Sequence, residues 1–292
     1  MNWKGRLNDA LVRRTGFEIR RRGSRRRVRP QEPSDRLLVA PAFIMCTVRS
    51  GSTLLRVLLD SHSQLHSPQE LHLRDVRATI ASGYAQRSLA EVGLDAGQLE
   101  YLLWDRVLHR ELEESGKRIL VNKTPSDVFI ADRIAECWPD ARFIYLLRHP
   151  LAILRSRRET RPQDGEERNL EVVLRYANAL ETARAKHPGL TVRYEDLAAD
   201  PARVTKRVCG FLGVRWERRM LDYGRFDHGR YKAGLGDWKE SIRSGRVQPP
   251  APLPAPEEVP PELRDIAVAW GYLPAAPLVR PEAAAGDAAA RR

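Results

Sequence analysis

Five residues, Arg49, Ser50, Gly51, Ser52 and Thr53, put one cation, one glycine and three hydroxyls directly after an apolar run that ends at Val48. An apolar periodic segment, STLLRVLLDSH at 52–62, follows at once. Strand, glycine turn and helix together form an anion-binding device. Free N–H groups at the helix N-terminus and the helix dipole favour a phosphate-like group there. Gly51 lets the backbone approach a ligand, Ser52 and Thr53 offer hydroxyl donors, and Arg49 supplies charge. An ordinary strand-to-helix turn with a serine cap fits the same five residues, so the motif needs company elsewhere in the chain.

The segment departs from the nucleoside-triphosphate P-loop, G-x-x-x-x-G-K-[ST]. Cys46 stands where the first glycine belongs, and Ser52 occupies the lysine position. A Mg²⁺-dependent phosphoryl transferase also wants a carboxylate at a strand end, whereas the strands here end in Asn122 and Arg148. A small-molecule kinase using ATP and Mg²⁺ is therefore the second enzymatic reading.

The elements that must position these residues follow from pattern. Short apolar runs predict strands at 42–48, 118–122, 142–148 and 190–197. Helical spacing predicts helices at 52–62, 99–116, 127–138, 150–159, 167–186 and 200–214. Pro150 and Pro201 stand in the first turns of two of them, and Asp200 is placed to cap the second. Alternating strands and helices, with strands that lack polar alternation, argue for an α/β fold: a buried parallel sheet covered by helices.

Several of these blocks, in order, resemble the sulfotransferases that use 3′-phosphoadenosine 5′-phosphosulfate (PAPS). RSGST resembles that family's 5′-phosphosulfate loop, [KR]-x-G-[ST]-[ST], which lies between the first strand and the first helix. The arginine version followed by LLRVLLDSH is most similar to the tyrosylprotein sulfotransferase branch and related bacterial enzymes. The resemblance makes Arg49, Ser50, Gly51, Ser52 and Thr53 the ligands of the phosphosulfate and Glu70, in SPQEL, the catalytic base. RFIYLLRHPLAILRS resembles the 3′-phosphate motif, with Arg148 and Ser156 as its ligands; the neighbouring Arg155, Arg157 and Arg158 are read as solvated. ILVNKTPSD resembles the segment that delivers a lysine, here Lys123, to the leaving-group side. Cytosolic members carry a catalytic histidine three residues later. Ser126 holds that position here, which leaves Glu70 as the base, with His66 and His72 as nearby rivals.

YKAGLGDWKES (231–241) resembles the late cofactor loop of cytosolic members through Lys232, Trp238 and Lys239, while Tyr231 and Ala233 depart from it. VRYEDL and AWGYL look like common family features. Tyr194 joins the cofactor set, and Glu195 or Asp196 is expected to anchor loops. The resemblance runs over roughly residues 40–273. It implies a P-loop-like three-layer α/β fold, a central parallel sheet with helices on both faces. It also implies metal-independent, in-line transfer of a sulfuryl group from PAPS to a hydroxyl of a small molecule, sugar, lipid or peptide.

Composition frames this reading. The chain has 292 residues and a net charge of +12. Residues 1–36 hold twelve Lys/Arg and four Asp/Glu, a net of +8, so the remainder carries only +4. The basicity belongs mainly to an N-terminal tail without a stable fold of its own. Binding of nucleic acid or an anionic surface through that tail is the reading from another functional class, and no specific nucleic acid is expected of the remainder. The domain is expected over 37–273, with a loose tail at 274–292 and a proline-dense, extended connector at 247–262. No apolar run reaches the about 18–20 residues of a membrane helix. Three widely spaced cysteines, Cys46, Cys137 and Cys209, suggest buried thiols in a reducing cytoplasm. A homodimer and a monomer both stay open.

Overall fold

The structure is a computed structural model; it describes residues 36–228 and 240–274, without the side chains of 240 and 241. Five strands form one sheet in the order β2-β3-β1-β4-β5: β1 Ala42–Cys46, β2 Leu65–His66, β3 Ile119–Asn122, β4 Arg142–Leu147 and β5 Gly189–Arg193. Every pairing is parallel, with Ile44 opposite Ile144 and Tyr145 opposite Thr191. The C-terminal ends of all strands therefore share one edge, where α/β sheets place their ligands.

Alternation along the strands builds three layers. Phe43, Met45, Phe143 and Tyr145 face a core with Trp104, Trp138 and Leu180. Ile44, Cys46, Ile144 and Leu146 face the other core, with Leu55, Leu58, Val204 and Val208. The first layer holds helices α3 (Ala96–Ser115), α5 (Pro150–Thr160), α6 (Gly165–Lys186) and α10 (Pro261–Ala269); the short α9 is Glu240–Arg243. The second holds α1 (Ser52–Asp60) and α8 (Pro201–Phe211). Strands buried on both faces explain the uninterrupted apolar runs of the sequence.

The structure corrects two local expectations and adds two elements that went unpredicted. The strand expected at 190–197 stops at Arg193, and Tyr194 opens a short helix, α7 (Tyr194–Ala199). Glu195 and Asp196 sit in its first turn, where the helix dipole favours carboxylates. The helix expected at 127–138 splits into a 3₁₀ segment, Pro125–Ile130, and a short α4, Ala131–Cys137. The two-residue β2 went unpredicted, because a strand that short has no period and exists only through its pairing with Ile119 and Leu120. Short helix α2, Gly83–Glu91, was unpredicted too; it buries none of its residues, so it carries no apolar stripe. All three cysteines are buried and free.

Candidate active site

The site begins where β1 ends. Thr47 to Gly51 turn the chain with two residues in the left-handed region, Arg49 at φ 63° and Gly51 at φ 81°. The Ser50 hydroxyl donates to the Thr47 carbonyl at 2.9 Å and is fully buried, so this side chain braces the loop from within. Gly51 caps α1 with no side-chain hydrogen bond, leaving the first-turn amides at Ser52 and Thr53 to an external acceptor. The Ser52 and Thr53 side chains are themselves buried.

Arg49 Nε donates to Ser156 Oγ at 3.2 Å, linking the loop to the second turn of α5. Arg148 leaves the end of β4 and donates from Nη1 to the Arg49 carbonyl at 2.8 Å. Its guanidinium lies 4.6 Å from the centre of the Tyr194 ring. That ring packs so closely on Gly51 that a Cβ there would lie 2.2 Å from Tyr194 Cδ2. Arg49, Gly51, Thr53, Arg148, Ser156 and Tyr194 thus line one cleft of about 330 Å³. Leu54, Tyr223, Ile242 and Pro252 give the same cleft an apolar wall.

Two further cations line it. Arg155, expected to be merely solvated, faces the cleft and pairs with Glu258 at 2.6 Å. Arg246, absent from the sequence reading, arrives from the segment beyond residue 240, and no local pattern marks it. Arg157 and Arg158 pair with Asp164 and Glu166 on the surface side. Lys232, Trp238 and Lys239 lie outside the described residues.

Lys123, directly after β3, is 1% exposed and ion-paired with Glu70. Neither lines the cleft. Lys123 follows the neighbouring strand β3 and Glu70 lies in the loop after β2, near Cys46, whose thiol burial pushes up to about 11 against the opposing pull of the Lys123 charge. The second Glu70 oxygen lies 3.6 Å from His72 Nε2. His66 turns instead to Asp60 at 3.3 Å. His62 is buried, its two ring nitrogens occupied by the Arg215 carbonyl and the Gln64 amide. Behind the pair, Asp127 is 2% exposed and accepts from Asn122 Nδ2 at 2.7 Å. Burial, then the Glu70 charge, push its carboxyl up to about 8.

Of the aromatic residues between Glu70 and α6, Tyr101 and Trp104 are core and Tyr84 is 80% exposed. Tyr176 meets Phe129 edge-on, ring centroids 4.7 Å apart. Arg74 lies 4.6 Å and Arg175 5.6 Å from the Phe129 ring centre.

The model of the sulfotransferase family, Sulfotransfer_3, matches residues 41–218, more than half of the chain. The chain belongs to the sulfotransferase family. Among its relatives, nodulation protein NoeE of Sinorhizobium fredii is 30% identical over 129 residues, 40% of this chain and 31% of that protein. Protein-tyrosine sulfotransferase 2 of Gallus gallus is 25% identical over 202 residues, 62% of this chain and 53% of that protein. The chain thus spans about a third to a half of the length of these curated relatives. The sulfotransferase domain from the curacin biosynthetic pathway superposes with a TM-score of 0.57 at 26% identity, covering 80% of this chain and 98% of that domain. Both the family and the likeness to its tyrosylprotein branch agree with the motif reading. Among the described residues no helix is long and apolar enough to cross a membrane. Nor do the described residues assemble a group of three or more His, Cys, Asp or Glu suited to a metal ion.

Proposed function

We propose that this sulfotransferase moves a sulfuryl group from PAPS to an acceptor hydroxyl. One observation carries the reading: Arg148 donates to the carbonyl of Arg49, 99 residues away in sequence, so the two motifs share one cleft. The residues fit the ligand. Guanidiniums of Arg49 and Arg148, the Ser156 hydroxyl and the first-turn amides of α1 suit its phosphates, and the wall of Leu54, Ile242 and Pro252 suits a purine. When bound, PAPS supplies an activated sulfuryl group on a phosphate leaving group.

The chain's own groups divide the remaining work. Arg49, Lys123 and the amides at Ser52 and Thr53 neutralise charge that grows on the leaving side, which favours the transition state over the ground state. Arg148 and Ser156 orient the second phosphate. Glu70, ion-paired with Lys123, accepts the acceptor's proton. The ATP–Mg²⁺ kinase reading is not favoured, since the loop lacks the P-loop glycine and lysine and the family match lies with sulfotransferases.

The acceptor side is bounded by Phe129 and Tyr176. Among the described residues neither Arg74 nor Arg175 has a carboxylate within ion-pair distance. Two such guanidiniums around one ring, near Glu70, favour an acceptor that carries negative charge close to its hydroxyl.

The test is twofold. Calorimetry with the product 3′-phosphoadenosine 5′-phosphate (PAP) is expected to show binding that ATP–Mg²⁺ does not reproduce; the reverse order of affinities sinks the reading. Labelled PAPS with acceptor pools sorted by charge, followed by mass spectrometry, is expected to give sulfated products from the anionic pool. Products from neutral pools alone remove the acceptor proposal.

A further inference from the structure

Two motifs have no task in the mechanism above, YED at 194–196 and WGYL at 270–273. They meet behind Arg148. Glu195 Oε1 accepts the backbone N–H of His149 at 3.0 Å, and Oε2 accepts the Tyr272 hydroxyl at 2.6 Å. The His149 and Tyr272 rings meet edge-on, centroids 5.0 Å apart. His149 Nδ1 accepts the Leu151 N–H at 3.2 Å and so caps α5. Arg193 grips the same chain end, donating to the carbonyls of Trp270 at 2.7 Å and Gly271 at 3.1 Å.

The peptide that joins Arg148 to His149 belongs to neither β4 nor α5. Glu195 fixes its direction, and Tyr272 fixes one oxygen of Glu195. A carboxylate tied at both oxygens cannot swing, so the exit angle of Arg148 from the sheet is set from behind. Tyr194, the next residue in sequence to Glu195, carries the ring on which the Arg148 guanidinium rests. One short helix turn thus holds both the backbone and the side chain of that arginine. The family match ends at residue 218, so the Tyr272 contribution comes from beyond it.

Resting on the sulfotransferase reading above, we propose that Glu195 and Tyr272 are positioning residues for Arg148, and that the C-terminal segment after α10 is part of the cofactor-binding apparatus. Tyr272→Phe removes one hydroxyl and keeps the ring. It is expected to weaken PAP binding about three- to tenfold, as loss of alignment of one charge-assisted donor would. It should also raise KM for PAPS while kcat changes less than twofold. Glu195→Gln is expected to do the same or more. Leu263→Val, a core change on the same α10, should lower Tm and leave PAP affinity as it was.

The deciding measurement is a double-mutant cycle with Arg148→Ala, read by calorimetry with PAP. If Tyr272 acts through Arg148, Tyr272→Phe adds nothing once Arg148 is gone. Additive losses, or a folded Tyr272→Phe protein with unchanged affinity, overturn the inference. Wild-type protein that binds no PAP fails the sulfotransferase reading instead. Wild-type that binds PAP with Tyr272→Phe matching it overturns this inference alone.

Discussion

Gly51→Ala adds one carbon at the centre of the cleft, and its consequences can be worked from the geometry. Gly51 caps α1 at φ 81° and ψ 16°. A non-glycine residue in that left-handed conformation costs about 1–2 kcal/mol. The new Cβ would lie 2.2 Å from Tyr194 Cδ2 and 2.5 Å from Cε2, well inside the roughly 3.5–4.0 Å of relaxed carbon contact. The ring is not free to move, because the Arg148 guanidinium rests against it at 4.6 Å. Overpacking of this kind costs about 1–3 kcal/mol. Together the two effects give about 2–5 kcal/mol. At roughly 2–4 °C per kcal/mol for a domain of this size, Tm falls by about 4–20 °C.

Gly93→Ala is the control for strain. Gly93 has φ 74° with nothing within 4 Å of the added carbon, so only the conformational part, about 1–2 kcal/mol, applies. Differential scanning fluorimetry should place Gly51→Ala below Gly93→Ala, and calorimetry should show PAP binding weakened at least about tenfold in the first alone, as Tyr194 and Arg148 shift. Equal Tm values for the two variants, with unchanged PAP affinity, would refute the claim that the Tyr194 ring closes on the glycine.

Other predictions address the pair, the buried acid and the thiols. Glu70→Gln is expected to lower turnover by about 10²–10⁴ while PAP binding persists; near-normal rates would show that Glu70 is not the base. Asp127 holds its proton up to about pH 8 in the folded chain but loses it near the ordinary carboxyl value of 3.8 when unfolded. The folded state therefore binds more protons between these values, and its contribution is complete below the lower one and is lost as pH rises toward the upper one. Asp127→Asn should flatten that decline in a Tm-versus-pH series; a slope identical to wild type would contradict the buried, uncharged carboxyl. Burial pushes the Cys46 thiol up to about 11 and those of Cys137 and Cys209 up to about 12. A thiol-reactive chromophore should label none of the three in native protein and all three in denaturant; rapid native labelling would falsify their burial.

Much of this molecule is local, and what is local was legible. The apolar runs at β1, β3 and β4 and the periodic segments at α1, α3 and α6 carry their own hydrophobic pattern, so element type and the parallel sheet followed from them. RSGST declared its turn because a left-handed cap before a helix calls for glycine. Where local preference was weak, the reading slipped. Tyr194 and Leu197 extend the apolar pattern of the strand before them, but Glu195 and Asp196 sit past the end of an edge strand, where carboxylates in a first helical turn prevail.

The sequence by itself determined which chemistry each motif could do and on which strand end each would stand. Only the tertiary structure decided which of them touch. Glu70 and Lys123 are 53 residues apart, Arg49 and Ser156 107, and Glu195 and Tyr272 77. Such contacts leave no period in the chain, because they depend on strand order and on how far each loop reaches across the sheet edge. For the same reason Arg246 and the clasp of Arg155 on Glu258 were invisible until β1 and β4 lay side by side. Hydrophobic patterning fixes the layers one residue after another; the meeting of charges at their common edge is settled only when the whole sheet closes.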